Sequence, residues 1–388
     1  MRWHNEERDS RGNQGSQVSR REFLRRSTAA AAAAALGSAA VLPLAAAESP
    51  LTVNGLPASV LGRTGLKVTK ISLGGAIATD PRLLLHLIDQ GINLVHTAPN
   101  YENGRSIEAF GKAFKVKGYR EKVVLALKET PDKIDACLKA LNTDHVDIVV
   151  PPLTSLEEIS DPSLPEKFRK AKEAGKIRFL GWAGHANTTE MFEKAIALGW
   201  FDVTLMSYAN IKDPAFLATA RKANQAGIGI FTMKGLPKRN ADGSDPELAG
   251  TVATLCKAML EEQYAHSVLA SMSTFQSVDF FRGLMEKNFG LRNRVLEDRY
   301  WAMQTGQYCA MCGACEKVCP EARQYVRAIR YRMYEQDYGL KEYARAQYAA
   351  LGEAARNPDP AKVARCESVC KRSLPIGRML EEARVRLS

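Results

Sequence analysis

The tail of the chain reads Cys309-Ala-Met-Cys312-Gly-Ala-Cys315-Glu-Lys-Val-Cys319-Pro320. Three cysteines at C-x2-C-x2-C spacing, with a fourth three residues later just before a proline, form the pattern that wraps thiolates around an iron–sulfur cube. Ala310, Gly313 and Ala314 are small enough to let the backbone curl round such a cage. Zinc also takes C-x2-C pairs, but the third cysteine of the run and the Cys-Pro step favour iron and sulfide. A disulfide inside so tight a run would not meet ordinary bond geometry. The pattern points to a protein that carries electrons. Cys366 and Cys370 bring the thiols of the tail to six, of eight in the chain. Cys137 and Cys256 fall in helical stretches and read as buried apolar residues.

The elements that position chemistry in the rest of the chain repeat a simple unit. Short runs rich in apolar and β-branched residues occur at Lys67–Leu73, Asn93–Thr97, Lys122–Leu127, Val146–Val150, Ile177–Gly181, Asp202–Met206, Gly229–Met233 and Ser267–Ala270. Between them lie stretches with helical period, such as Pro81–Gln90, Ser106–Phe114 and Thr188–Leu198. Alternation of this kind predicts an α/β fold with a parallel sheet covered on its outside. Eight units close most naturally into a (β/α)8 TIM barrel over 51–290, whose active sites lie at the C-terminal ends of the strands. An open doubly wound sheet is the alternative, but no G-x-G-x-x-G follows the first strand. Residues 295–388 read as a small α-helical domain carrying the cysteines. In it Tyr331, Tyr334 and Tyr338 share a helical face suited to aromatic packing against the barrel.

Residues 1–47 differ in kind. Ser19-Arg20-Arg21-Glu22-Phe23-Leu24 precedes a mildly apolar, alanine-rich run that ends in Ala45-Ala46-Ala47. This is similar to a twin-arginine signal peptide with a small-residue cleavage site. It implies passage through the twin-arginine translocase to the periplasm or beyond, and membrane attachment only if the signal stays uncleaved. Export of an already folded chain would let a cofactor be inserted first. The chain has 54 basic and 43 acidic residues, of which seven and four lie in this leader, so the remainder carries +8. The charges are mixed in sign, which reads as solvated surface and not as a nucleic-acid footprint.

At the strand ends the sequence resembles the aldo-keto reductases. The resemblance runs through Leu61-Gly62-Arg63-Thr64-Gly65-Leu66-Lys67-Val68, Asn93-Leu94-Val95-His96-Thr97-Ala98-Pro99-Asn100-Tyr101, Leu127-Lys128, Gly175-Lys176-Ile177-Arg178-Phe179-Leu180-Gly181 and Thr232-Met233-Lys234. More narrowly, the resemblance is to exported members with a ferredoxin-type 4Fe–4S tail. It implies NADPH-dependent carbonyl reduction in which Tyr101 is the proton donor and Lys128 its partner. His96 stands where the family has its aspartate, and Pro152 where it has its histidine. The resemblance also places Tyr208 as the aromatic that stacks on the nicotinamide ring, and Lys234 and Ser271 in the phosphate-binding loops.

The departures matter. The family's carboxamide-holding side chains are replaced by Ala183, Gly184 and Leu205, and each lost hydrogen-bond partner typically weakens a polar site by ~1–3 kcal/mol. NADPH-dependent reduction is therefore expected to be altered or lost. In the ferredoxin-type relatives a second cysteine group completes a two-cluster arrangement, but here only Cys366 and Cys370 remain of it. This implies one 4Fe–4S cluster held by Cys309, Cys312, Cys315 and Cys370, with Cys319 and Cys366 left over. Cys319 in place of Cys370 is the other arrangement. Two functions follow: an exported iron–sulfur oxidoreductase acting on a small molecule, or a non-catalytic barrel serving as electron carrier or binding scaffold for a redox partner protein.

Overall fold

The computed structural model describes residues 50–388, apart from 187, 210, 238–240 and 262–263. The leader read at residues 1–47 lies outside them. Strands β1 (Thr52–Val53), β2 (Leu56–Val60) and β3 (Lys67–Thr69) form a small antiparallel sheet. Strands β4 (Ile71–Gly74), β5 (Leu94–Thr97), β6 (Val124–Leu127), β7 (Val146–Val149), β8 (Pro152–Leu153), β9 (Ile177–Gly184), β10 (Val203–Ser207), β11 (Gly229–Met233) and β12 (Ser267–Ala270) follow. All but β8 close into a ring of eight parallel strands, completed by the pairing of β9 with β10. β8 adds a short parallel rung beside the end of β9. The expected strand at Lys67–Leu73 is two strands in two sheets. The chain turns at Lys70, where the Thr69 hydroxyl donates to the Ile71 carbonyl at 2.7 Å.

Side chains alternate across a strand, so every second residue points into the barrel. Leu94, Val124, Ala126, Ile148, Ala183, Val203, Leu205 and Phe231 fill it. The hairpin stoppers the lower end with Leu61 and Val68, both within this interior cluster. Arg63 fastens it by donating to the carbonyls of Gly199 at 3.1 Å and Ala226 at 2.7 Å. Gly62 is required there: its φ is +53°, and a Cβ would stand 2.3 Å from the Gly229 nitrogen.

The tail is helical: Arg294–Gln304, Ala322–Tyr338, Lys341–Ala349, Glu353–Arg356, Pro360–Ser368 and Ile376–Leu387. It has its own core, built on Tyr325, Ile329, Tyr348, Leu374, Met379 and Leu380. Asp359 caps the helix that follows the Asn357–Pro360 break, accepting from the Ala361 N–H at 2.8 Å. Pro50–Ser388 is nevertheless one compact unit. Met311 and Val326 pack with Ala186 at the end of β9, and Lys371 pairs with Asp213 at 3.1 Å. Among the described residues, no helix is long and apolar enough to cross a membrane.

Candidate functional site

The inward series continue upward to the C-terminal mouth of the barrel. Leu94 leads to His96, Ala126 to Lys128, Ala183 to His185 and Leu269 to Ser271. Tyr101 is placed by a tight turn, Tyr101–Gly104, in which Glu102, Asn103 and Gly104 have φ of 50°, 54° and 90°. Two successive non-glycine residues in the left-handed region are uncommon and mark an over-determined segment. These side chains and Lys234 line a cavity of about 140 Å³. Its lid comes from the tail: Arg330, Tyr334, Tyr338 and Tyr343 line the same space. Arg330 Nε donates to the Tyr334 hydroxyl at 2.6 Å, and Asn100 donates to the Tyr343 hydroxyl at 3.4 Å.

Among the described lining residues there is no Asp or Glu. Lys128 Nζ lies 3.3 Å from His185 Nε2 and 5.8 Å from the centroid of the Tyr101 ring. Burial, and then the nearby Arg330 guanidinium, lower the Lys128 ammonium to about 7. Burial, and then Lys128, lower His96 to about 3, so that it is a neutral imidazole. Both of its ring nitrogens lack a hydrogen-bond partner. His185 is likewise held low by burial, then by Arg330. Tyr101 is pushed well above the ordinary phenol range, by burial first and Tyr334 next. A proton donor needs the opposite shift. The Tyr101–Lys128 pair is present, but its surroundings do not acidify the phenol.

Lys234 and Ser271 line the mouth cavity, and Tyr208 does not. The Tyr208 ring is fully buried edge-on against Phe216, 5.2 Å between centroids, and its hydroxyl donates to the Tyr264 carbonyl. That leaves it no open face on which a nicotinamide could stack. Pro152 is exposed in β8 and contributes nothing to the cavity. Arg330 and Tyr343 are the site residues that sequence reasoning missed. The available signal was the four-residue spacing of Arg330, Tyr334 and Tyr338, which puts a cation on the aromatic face.

A second cavity, of about 30 Å³, lies in the tail. Cys309, Cys312, Cys315 and Cys370 line it together with Cys366, and Cys319 does not. Its other walls include Ala310, Val326, Ile329, Leu374 and Ile376. The loop closes through Met311 and Gly313, with φ of 51° and 76°. The Met311 N–H donates to Cys309 Sγ at 3.4 Å and the Leu374 N–H to Cys370 Sγ at 3.5 Å. Among the described residues no three His, Cys, Asp or Glu side chains converge to hold a single metal ion. The thiols stand round a space instead of meeting at a point. Cys319 and Cys366 are buried neighbours, and Cys319 Sγ donates to Glu321 at 3.3 Å.

Residues 71–235 match the aldo/keto reductase family model. The chain is 33% identical over 150 residues to the aldo-keto reductase YhdN of Bacillus subtilis, covering 30% of this chain and 44% of that protein. The chain thus spans less than half the length of that curated relative. The holo form of an aldo-keto reductase from Bacillus halodurans shares the fold with a TM-score of 0.50 at 18% identity, over 64% of this chain and 96% of the other. An aldo-keto reductase from Klebsiella pneumoniae was solved in complex with NADPH; it is 18% identical over 63% of this chain and 94% of that chain, with a TM-score of 0.48.

The mouth does not fit a nicotinamide cofactor. Leu205 is apolar where a carboxamide would need a partner, and Ala183 is buried with nothing to donate. The space is also smaller than the roughly 300–1,000 Å³ of typical ligand pockets. The tail cavity, by contrast, is lined by five thiols, Cys366 among them, with largely apolar walls and two backbone N–H groups directed at sulfur, the kinds of group an iron–sulfur cube takes.

Proposed function

We propose that this protein is an exported iron–sulfur oxidoreductase of aldo-keto-reductase type that no longer uses NADPH. Its ferredoxin-type tail binds one 4Fe–4S cluster through Cys309, Cys312, Cys315 and Cys370. Bound there, the cluster supplies electrons one at a time. The observation that carries the reading is the helix Ala322–Tyr338, which belongs to both cavities. Ile329 lines the thiol cavity and Arg330, the next residue, lines the barrel mouth. Cys309, Met311, Ile329, Arg330 and Lys234 also share a small space between the two.

In this reading the barrel holds a small substrate beside His96, Lys128 and His185 while the tail excludes water. Lys128, lowered to about 7, is suited to giving or taking a proton near neutral pH. The electrons come from an external redox partner protein. The buried, unsatisfied nitrogens of His96 favour a ligand-binding role over an empty scaffold, because a buried polar group without a partner is costly.

The test is isolation of the full chain without oxygen, followed by iron and acid-labile sulfide analysis and electron paramagnetic resonance. About four irons and about four sulfides per chain are expected. Cys309→Ser should abolish them, and added NADPH should not bind. Protein free of iron and sulfide, or holding one zinc, would end this reading and leave the barrel as a binding scaffold.

A further inference from the structure

The mouth cavity has a chemical character of its own. Three cationic side chains, Lys128, Lys234 and Arg330, face it, and no carboxylate does so among the described residues. Arg330 is at the centre of the arrangement. It is held from the tail side, its Cζ 5.1 Å above the Tyr334 ring, and it makes no ion pair with any described acid. An arginine enclosed without an anion is an unbalanced charge. His96, 1% exposed, adds two unpartnered ring nitrogens, and His185, 3% exposed, adds one. Leu205, Met233 and Leu269 make the remaining wall apolar.

We propose that the chamber between the barrel mouth and the Ala322–Tyr338 helix binds a short-chain carboxylate, with Arg330 and Lys128 taking the carboxylate and the Leu205–Met233–Leu269 wall taking the chain. The neutral imidazoles of His96 and His185 supply N–H donors without adding charge. The size follows from the volume. A cavity of about 150 Å³ accommodates a six-atom ring such as benzene, and this one is about 140 Å³. A ligand of about six non-hydrogen atoms, such as a four-carbon acid, fills it. Inorganic phosphate would satisfy the cations and leave the apolar wall against a wholly polar surface. The assignment rests on the reading of the mouth as a substrate site, and names what it accepts.

Isothermal titration calorimetry on the anaerobically isolated full chain tests it with butanoate, butanamide and inorganic phosphate. Butanoate should bind at least about tenfold more tightly than butanamide, which has the same shape without the charge, and more tightly than phosphate. Arg330→Met should weaken butanoate about 10- to 100-fold and leave butanamide unchanged, with Arg330→Lys between. Should Arg330→Met fail to fold by circular dichroism, Lys128→Met carries the same expectation. Equal binding of amide and acid, phosphate binding as tightly as butanoate, or no binding of any probe would overturn the assignment.

The redox reading fails separately. 2-Oxobutanoate needs two electrons and two protons to become 2-hydroxybutanoate. Dithionite-reduced protein that binds the oxo acid but returns it unreduced would count against electron delivery to such a ligand, and leave the carboxylate site standing.

Discussion

Lys128 Nζ lies 3.3 Å from His185 Nε2, a cation against an imidazole with no carboxylate among the described residues around them. In a reductase of this family type an ammonium at this position would acidify the tyrosine. Here burial and Arg330 bring the ammonium itself down to about 7 from 10.5. A lysine whose folded value lies below its unfolded one costs stability. The cost is full below about pH 7, shrinks as pH rises, and is gone by about pH 10.5. The groups facing it include His96, Tyr101, His185, Lys234, Arg330 and the phenols of Tyr334, Tyr338 and Tyr343. Lys128→Met should therefore melt about 2–4 °C higher than the parent at pH 6–7, the gap closing toward pH 10. Thermal melts across that range check it, and a gap that widens with pH would contradict the assignment.

The ligand arrangement is testable one cysteine at a time. Cys312→Ser, Cys315→Ser and Cys370→Ser should each lose most of the bound iron and the visible absorbance that accompanies it, because all three line the tail cavity. Cys319→Ser should retain both, since Cys319 is buried and does not line that cavity. The reverse pattern for Cys319 and Cys370 would select the other arrangement.

Tyr101→Phe should have no measurable effect on NADPH-dependent aldehyde turnover, because there should be none to lose. The Tyr101 phenol is pushed up by burial, and the nicotinamide contacts are apolar at Ala183 and Leu205. Turnover by the parent that falls by about a hundredfold or more in Tyr101→Phe would restore the family's reaction.

Gly62→Ala should destabilise the barrel by about 2–4 kcal/mol, through strain at φ +53° and the clash with the Gly229 backbone. Gly118 also has a positive φ, but a Cβ there meets nothing within 4 Å. Gly118→Ala should thus cost only about 1 kcal/mol. Chemical denaturation of both variants separates the clash from the backbone term.

Much of the architecture was legible in the chain. The eight apolar runs and the helices between them pointed to the closed parallel barrel, because a near-continuous apolar run, buried on both faces, is a local property of each segment. The first run misled: Lys67–Thr69 and Ile71–Gly74 look continuous, and only their separate sheet partners divide them. His96 and Lys128 were readable as strand-end groups, while the burial of Tyr208 was not. Family position suggested an open aromatic face, and the Tyr264 carbonyl and Phe216 claim that ring for the core.

The residue types alone established a cysteine-rich tail and apolar side chains at Ala183 and Leu205, since ligand identity and hydrogen-bonding capacity are written into side chains. Folding settled which thiols surround one space and what closes the barrel. Cys370 joins Cys309 across sixty intervening residues, and Arg330 reaches a mouth built from strands as far back as the one that carries His96. Both depend on long-range packing of the tail on the β-strand ends, and no local periodicity encodes where two distant surfaces meet.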